Sequence, residues 1–253
     1  MAIAQRHDQI LAELNAHNRV SVVALSRLLH VTAVTIRKDL EQLQDQGLVT
    51  RIHGGAALSG RGRLERQLTA RENEHKEEKQ RIARAAADLI QSGQRIFLDA
   101  STTALFVARL IKDRRDLVVI TNGLYTAVEL SYCDGISTIV LGGTVRHRSS
   151  SLVGNLADAV TQRLRVDLGF FGARGLTPRD GLMEADLDEA QLKQGLVAAA
   201  TTVIGIADSS KFGKRYLSAF ALPEEVDRII TDTQAPASSV AEYRARGIQV
   251  DLV

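Results

Sequence analysis

Two sets of residues in this chain have the types and spacing to do chemistry. The first is compact. Arg37 and Lys38 are adjacent cations, preceded by the hydroxyls of Thr32 and Thr35 and the small apolar side chains of Ala33 and Val34, and followed at short range by Arg51 and His53. Guanidinium, ammonium, imidazole and hydroxyl groups bind phosphate oxygens, while small apolar groups fit the methyl of thymine. Such a set suits the backbone and base edges of double-stranded DNA. The second set is dispersed: Asp99, Ser101, Thr102, Thr103, Thr121, Asn122, Gly142, Gly143, Arg146, Gly172, Glu184, Asp208 and Lys211. Carboxylates and an amide can bond sugar hydroxyls. A Ser/Thr loop opening a helix, with a mobile lysine nearby, can hold a phosphate. The second set therefore suits a phosphorylated, polyhydroxylated small molecule.

The elements needed to position the first set are legible in the apolar spacing. Ile10, Leu11 and Leu14 predict a helix over 7–16, and Val22, Leu25, Leu28 and Leu29 a second over 20–29. Thr32 is an acceptable N-cap for a third helix, in which Ile36, Leu40 and Leu43 share one face and Arg37 and Lys38 fall away from it. The joint at 29–31 is short enough for a helix-turn-helix. Gly47 ends the third helix, residues 48–53 alternate as a strand, and Gly54-Gly55 turns it. Three helices, a strand and a Gly-Gly turn make a winged helix-turn-helix domain over 1–57. A glycine-bearing, densely charged stretch over 58–79 then reads as a solvated linker running into a helix.

From about residue 80 the pattern changes. Apolar, β-rich runs at 95–99, 117–121, 137–141, 166–171, 202–207 and 228–231 alternate with helical stretches at 103–111, 124–130, 156–164 and 187–200, and 247–253 can add a terminal strand. Regular alternation predicts a larger α/β domain over 80–253, with a mostly parallel sheet covered on both faces. The dispersed set falls largely just after five of these strands. In open α/β sheets ligands bind along the carboxyl ends of the strands. Any one such loop reads equally well as a turn or helix cap, so the site rests on five of them sharing an edge. Alternatives stay open for single residues. Asp99 and Asp208 can cap helices, Arg146 can be solvated, and Glu184 can pair with Lys193 rather than with ligand.

Bulk properties narrow the class. A formal charge of +2 over 253 residues is nearly neutral, so a DNA-binding surface must be a local patch. The single Cys133 excludes an intrachain disulfide and fits a reducing compartment. No apolar h-region opens the chain and no apolar run is long enough to span a bilayer, so the expectation is a cytoplasmic protein without a membrane partner. The six His residues are scattered without metal-ligand spacing, and neither a metal nor a cofactor is expected.

The run Thr32-x-x-Thr-Ile-Arg-Lys-Asp-Leu40, followed by Gly47-Leu-x-x-Arg-x-His-Gly-Gly-Ala56, resembles the signature of the DeoR family of bacterial transcriptional regulators. Thr32 stands where the family usually has Ser, and Lys38 where it has Arg, which keeps a hydroxyl and a cation but removes bidentate geometry at position 38. The strand-end motifs are similar, in order, to the family's effector domain, itself similar in fold to ribose phosphate isomerases. Ser101 takes the place of the family's usual Gly, which restricts backbone approach to a phosphate there. The resemblance implies a repressor of carbohydrate metabolism genes that binds an operator as a homo-oligomer, a dimer or a tetramer, and is released by a phosphorylated sugar or related phosphometabolite. The alternative is a sugar phosphate isomerase with an added N-terminal domain. The related isomerases carry Gly-Ala-Asp-Glu where this chain has Gly172-Ala-Arg-Gly175, without an acid to move the carbon-bound proton.

Overall fold

The computed structural model describes residues 3–161 and 163–253, apart from the side chains of 61–67, 155, 158 and 159. The backbone divides into two compact units, Met1–Arg71 and Glu72–Val253.

In the first unit, α1 (Ile3–His17), α2 (Val22–Leu28) and α3 (Ala33–Asp45) accompany three short strands, β1 (Arg19–Ser21), β2 (Val49–Ile52) and β3 (Gly55–Leu58). The strands form an antiparallel sheet in the order β1-β3-β2. Ile10 and Leu14 of α1, Leu25 of α2, and Ile36, Leu40 and Leu43 of α3 bury together, which is why the apolar spacing located these helices. The stretch expected as one helix over 20–29 instead begins as β1, and Ser21 then caps α2 by accepting the Ala24 N–H at 3.1 Å. Gly55 permits that arrangement, since a Cβ there would sit 1.9 Å from the Val20 carbonyl oxygen.

The expected break after residue 57 needs correction. Leu58 is buried and pairs with Val49 in the wing sheet, because its side chain completes the apolar core. The stretch read as solvated linker is largely helical: α4 (Gly60–Asn73) and the start of α5 (Lys76–Asp88) occupy it. Leu, Glu, Gln, Ala and Arg are strong helix formers, and in α4 their summed preference outweighs the two glycines.

The second unit is built on a seven-stranded, wholly parallel sheet. Its strands are β4 (Arg95–Leu98), β5 (Leu117–Thr121), β6 (Ile136–Val140), β9 (Val166–Phe171), β12 (Ala200–Ile206), β14 (Arg228–Thr231) and β15 (Gln249–Leu252). They lie in the order β15-β14-β12-β9-β4-β5-β6. The helices between them are α6 (Thr102–Leu110), α7 (Leu124–Leu130), α8 (Asn155–Thr161), α9 (Leu187–Ala199) and α10 (Ala237–Ala245). Both faces of the sheet are covered, so its strands read as nearly continuous apolar runs. Alternation still sorts them: Ile96, Leu98 and Phe170 join α5 and α6 on one side, while Phe97 and Phe171 join α9 and α10 on the other.

Two small antiparallel sheets were not legible in the pattern. One is a hairpin, β7 (Thr144–Arg146) with β8 (Ser151–Val153). The other joins β10 (Gly175–Thr177), β11 (Gly181–Glu184) and β13 (Ser218–Ala221) in that order. They place Arg146 and Glu184 on strands rather than loops. Among the described residues no helix is long and apolar enough to cross a membrane.

Candidate functional site

In the first unit the residues expected to contact DNA share α3 and the wing. Thr32 caps α3 by accepting the Thr35 N–H at 3.2 Å, and the two hydroxyls lie 2.9 Å apart. Opposite the buried stripe, Arg37 and Lys38 are exposed. Val34, beside the half-buried Ala33, is 71% exposed. Arg51 reaches back from β2 to donate to the Arg37 carbonyl at 3.4 Å, which ties the wing to the helix, and His53 is exposed at the wing turn.

Asp39 is a functional support that the sequence reading passed over. It lies on the apolar stripe of α3 and is buried, with Arg6 of α1 bonding both its oxygens at 2.6 and 2.7 Å and His7 Nε2 at 3.4 Å. Burial works against its charge, but the Arg6 hydrogen bonds and charge, with His7, hold the carboxyl below its ordinary range. A charge on an otherwise apolar helical stripe was the available signal.

In the second unit the five expected loops follow β12, β9, β4, β5 and β6, which are consecutive neighbours in the sheet. Chain order reverses between β4 and β9, so their carboxyl ends flank the topological switch point. At about 4.8 Å per strand, five strands span roughly 19 Å, more than one small sugar phosphate can touch. The expected residues therefore divide into a central group and two flanks.

The central group is tightly connected. Asp99 is fully buried at the end of β4, where its Oδ1 accepts the Ser101 N–H at 3.0 Å and its Oδ2 the Gly172 N–H at 2.8 Å. Lys193 Nζ lies 2.8 Å from the same Oδ2, 2.7 Å from Glu184 Oε1 and 2.8 Å from the Gly172 carbonyl it donates to. It also sits 4.7 Å from the centre of the Phe220 ring. Burial opposes the lysine's charge, but Asp99, Glu184 and Glu189 outweigh it and raise its pKa well above the ordinary value. Lys193 was expected only as a possible partner of Glu184. Its tie to Asp99, on a distant strand, had no local signal beyond a charge on the apolar side of α9.

Ser101 caps α6, its hydroxyl accepting the Ala104 N–H at 3.1 Å, while Thr102 and Thr103 form the first helical positions. Gly172 is required by this packing, since a Cβ there would lie 2.5 Å from the Ser101 Cβ. After β5, Thr121 Oγ1 accepts the Gly123 N–H at 3.0 Å. Asn122 donates to the Leu152 carbonyl at 3.3 Å, and its buried Oδ1 has no partner among the described residues.

The flanks are built differently. Beyond β6, Gly142 is exposed, while Gly143 passes so close to β8 that a Cβ would lie 2.3 Å from the Val153 oxygen. Arg146 is held by Asp186 at 2.6 Å and Glu189 at 3.3 Å. Glu189 also accepts the Ser151 hydroxyl at 2.8 Å. Burial works against its charge, but Lys193, Ser149, Ser151 and Arg146 hold its carboxyl below its ordinary range. Beyond β12, Asp208 caps the turn that carries Lys211, whose Nζ is 3.8 Å from the Asp208 carboxylate.

Comparison with known proteins agrees with this two-part organisation. The DeoR-like helix-turn-helix domain family matches residues 6–61, and the DeoR C terminal sensor domain family matches residues 74–233. The HTH-type transcriptional regulator GolR of Listeria innocua is 34% identical, covering 98% of each chain. The glycerol-3-phosphate regulon repressor of Escherichia coli is 31% identical, covering 100% of each. Among solved structures, ribose 5-phosphate isomerase A from Methanocaldococcus jannaschii aligns over 56% of each chain with a TM-score of 0.42 and 18% identity.

Proposed function

The chain belongs to the DeoR family of transcriptional regulators, and on that premise we propose that it is a sequence-specific repressor of carbohydrate metabolism genes whose operator affinity is set by a phosphorylated sugar. The observation that carries this reading is the two-sidedness of α3: Ile36, Leu40 and Leu43 are spent on the core, while Arg37, Lys38 and Val34 face solvent. In the proposed complex α3 enters the major groove. Arg37, Lys38, Arg51 and His53 neutralise backbone phosphates, Thr32 and Thr35 fix the register, and Ala33 and Val34 meet thymine methyls. A helix of this size reads few base pairs, so the working form is a homo-oligomer on repeated half-sites.

The effector is proposed to bind over the β4–β9 switch point. Its phosphate lies at the start of α6, against Thr102 and Thr103, where unpaired backbone N–H groups favour an anion. Lys211 supplies a cation from the flank. The unpartnered Oδ1 of Asn122 supports a ligand hydroxyl donor on the other side. Asp99 and Glu184 frame this floor through Lys193. That arrangement also argues against isomerisation: both carboxylates are already engaged by the buried Lys193 ammonium group, and residues 172–175 contribute no acid. We therefore read the crevice as a binding site without catalysis, in which ligand shifts the population of DNA-competent states.

Fluorescence anisotropy tests the reading on labelled DNA from upstream of the protein's own gene, with phosphorylated sugars and their unphosphorylated parents titrated into the complex. Release of DNA by one phosphate ester alone is the expected result. Tight DNA binding with no response across the panel would remove the effector class. Isomerase turnover with a pentose phosphate would overturn the non-catalytic reading.

A further inference from the structure

The two edges of the seven-stranded sheet are finished in different ways. At one edge, β15 is covered by its own chain. Arg244 Nη2 donates to the Val250 carbonyl at 2.7 Å, Arg228 Nη2 to Gln249 Oε1 at 2.6 Å, and Gln249 Nε2 to Asp251 Oδ1 at 3.1 Å. Charges and side-chain caps of this kind are how a folded chain keeps an edge strand from pairing with another molecule.

At the other edge, β6 (Ile-Ser-Thr-Ile-Val) has neither charge nor proline, and Gly135, Leu141 and Gly142 beside it add none. Its sole strand neighbour among the described residues is β5. Ile139 and Val140 are 41% and 43% exposed, although they stand on opposite faces of the strand. The apolar surface continues onto α7, which packs against β6. Val128 is exposed there, and Tyr132, just past the helix end, is 89% exposed.

We propose that β6 is the dimerisation edge, pairing antiparallel with β6 of a second copy about a two-fold axis near Thr138. The occupant follows from self-complementarity. Antiparallel pairing offers the same groups on both sides, so one patch suffices for a closed dimer. Centred on Thr138, it sets Ile136 against Val140 and Ser137 against Ile139, apolar or small at every step. The strand itself carries no charge, so the pairing sets no like charges opposite one another. The sheet becomes one continuous sheet through two sensor units, with Val128 and Tyr132 adding apolar area beside the seam.

The proposal deepens the operator-binding reading, and its test separates the two. Sedimentation velocity on the full chain is expected to give twice the monomer mass, and the double variant Ile139→Lys/Val140→Lys a monomer with unchanged circular dichroism. Because both side chains already face solvent, the substitution spares the fold. If the variant nevertheless misfolds, hydrogen exchange of the unaltered chain decides: the edge-facing amides of Thr138 and Val140 should be protected at high concentration and lose at least tenfold protection on dilution, while the alternate amides bonded to β5 stay protected. A variant that stays dimeric, or amides indifferent to dilution, overturns the proposal. So does an unaltered chain that is monomeric, and if that monomer binds operator DNA the regulator reading still stands. A β6-paired dimer that binds no DNA has the reverse meaning.

Discussion

Asp39 in the first unit and Lys193 in the second are both charges buried on the apolar side of a helix, but they are neutralised differently. Asp39 meets Arg6 in a bidentate pair, and His7 Nε2 lies 3.4 Å away. The pair is closed, and it fixes α1 against α3 so that the opposite face of α3 is held rigid. Lys193 faces Asp99 and Glu184 together, with Glu189 beyond them. Arg146 adds a second cation on Glu189 at 3.3 Å, and Arg174 lies 4.0 Å from Glu184, so Lys193 belongs to a network that reaches the strand-end crevice. A closed pair makes a scaffold. An open network makes a floor that an incoming polar group can rearrange. The difference predicts that damage to the first acts through stability alone, whereas damage to the second alters ligand response as well.

The largest effect should come from Lys193→Met. It leaves Asp99 buried without its counter-charge and Glu184 with only Arg174 at 4.0 Å, a loss of about 3–5 kcal/mol. Denaturant unfolding should register it as an early transition of the second unit, with effector response lost. Adding Asp99→Asn and Glu184→Gln should restore much of the stability but not the response. If the triple variant still answers the effector, the cluster is only a scaffold and the contrast fails.

Asp39→Ala should cost about 2 kcal/mol, the value of charge-assisted hydrogen bonds lost to a buried carboxylate. Its pH signature has a definite sign. The folded-state pKa of Asp39 is depressed, so its contribution is complete above the ordinary carboxylate value and is lost as pH falls through the folded value. Hydrogen exchange at α3 should therefore weaken on acidification in the unaltered chain, and Asp39→Asn should remove that component.

Arg37→Ala separates the reading surface from its support. Stability should be unchanged, operator binding should fall by roughly tenfold or more, and the salt dependence should drop by about one phosphate contact. Normal DNA binding would mean that α3 is not the reading helix. The smallest effect is expected at Thr103→Ala, about 1 kcal/mol or several-fold weaker effector action, with DNA affinity retained. An unchanged effector titration would move the phosphate away from the start of α6.

Much of the fold could be read directly because the sheet is parallel and buried. The runs at 117–121, 166–171 and 228–231 are strands with those same bounds, and α7 occupies 124–130. Apolar strands flanked by turn residues leave little choice of boundary. The short strands β1, β7, β8 and β10 were not legible, since three residues are too few to display an alternation. α4 was hidden because its glycines and charges resemble a linker, although its remaining residues favour helix. The site divides in the same way. Thr32 was legible as a cap beside a helical run, and capping was an open alternative for Asp208, whereas Ser101, read as part of a phosphate loop, caps α6. Arg6–Asp39 and Lys193–Asp99 join residues far apart in sequence, and only the charge on an apolar stripe hinted at a partner. Arg146 looked free to meet ligand, but the hairpin that turns it onto Asp186 and Glu189 was not foreseen.

The position of β4 has a consequence for how the chain is made. β4 is the first strand of its sheet to leave the ribosome, and β5 and β6 can add to one side of it at once. Its other side is completed only by β9, after the β7–β8 hairpin and α8 have been synthesised. Until then the strand bearing Asp99 has an open edge, and the nascent sheet can pair with the wrong neighbour. The helix-turn-helix unit, rich in local contacts and complete earlier, folds ahead of it. Newly made chains therefore pass through an interval in which the helix-turn-helix unit is folded and the sensor sheet is still incomplete.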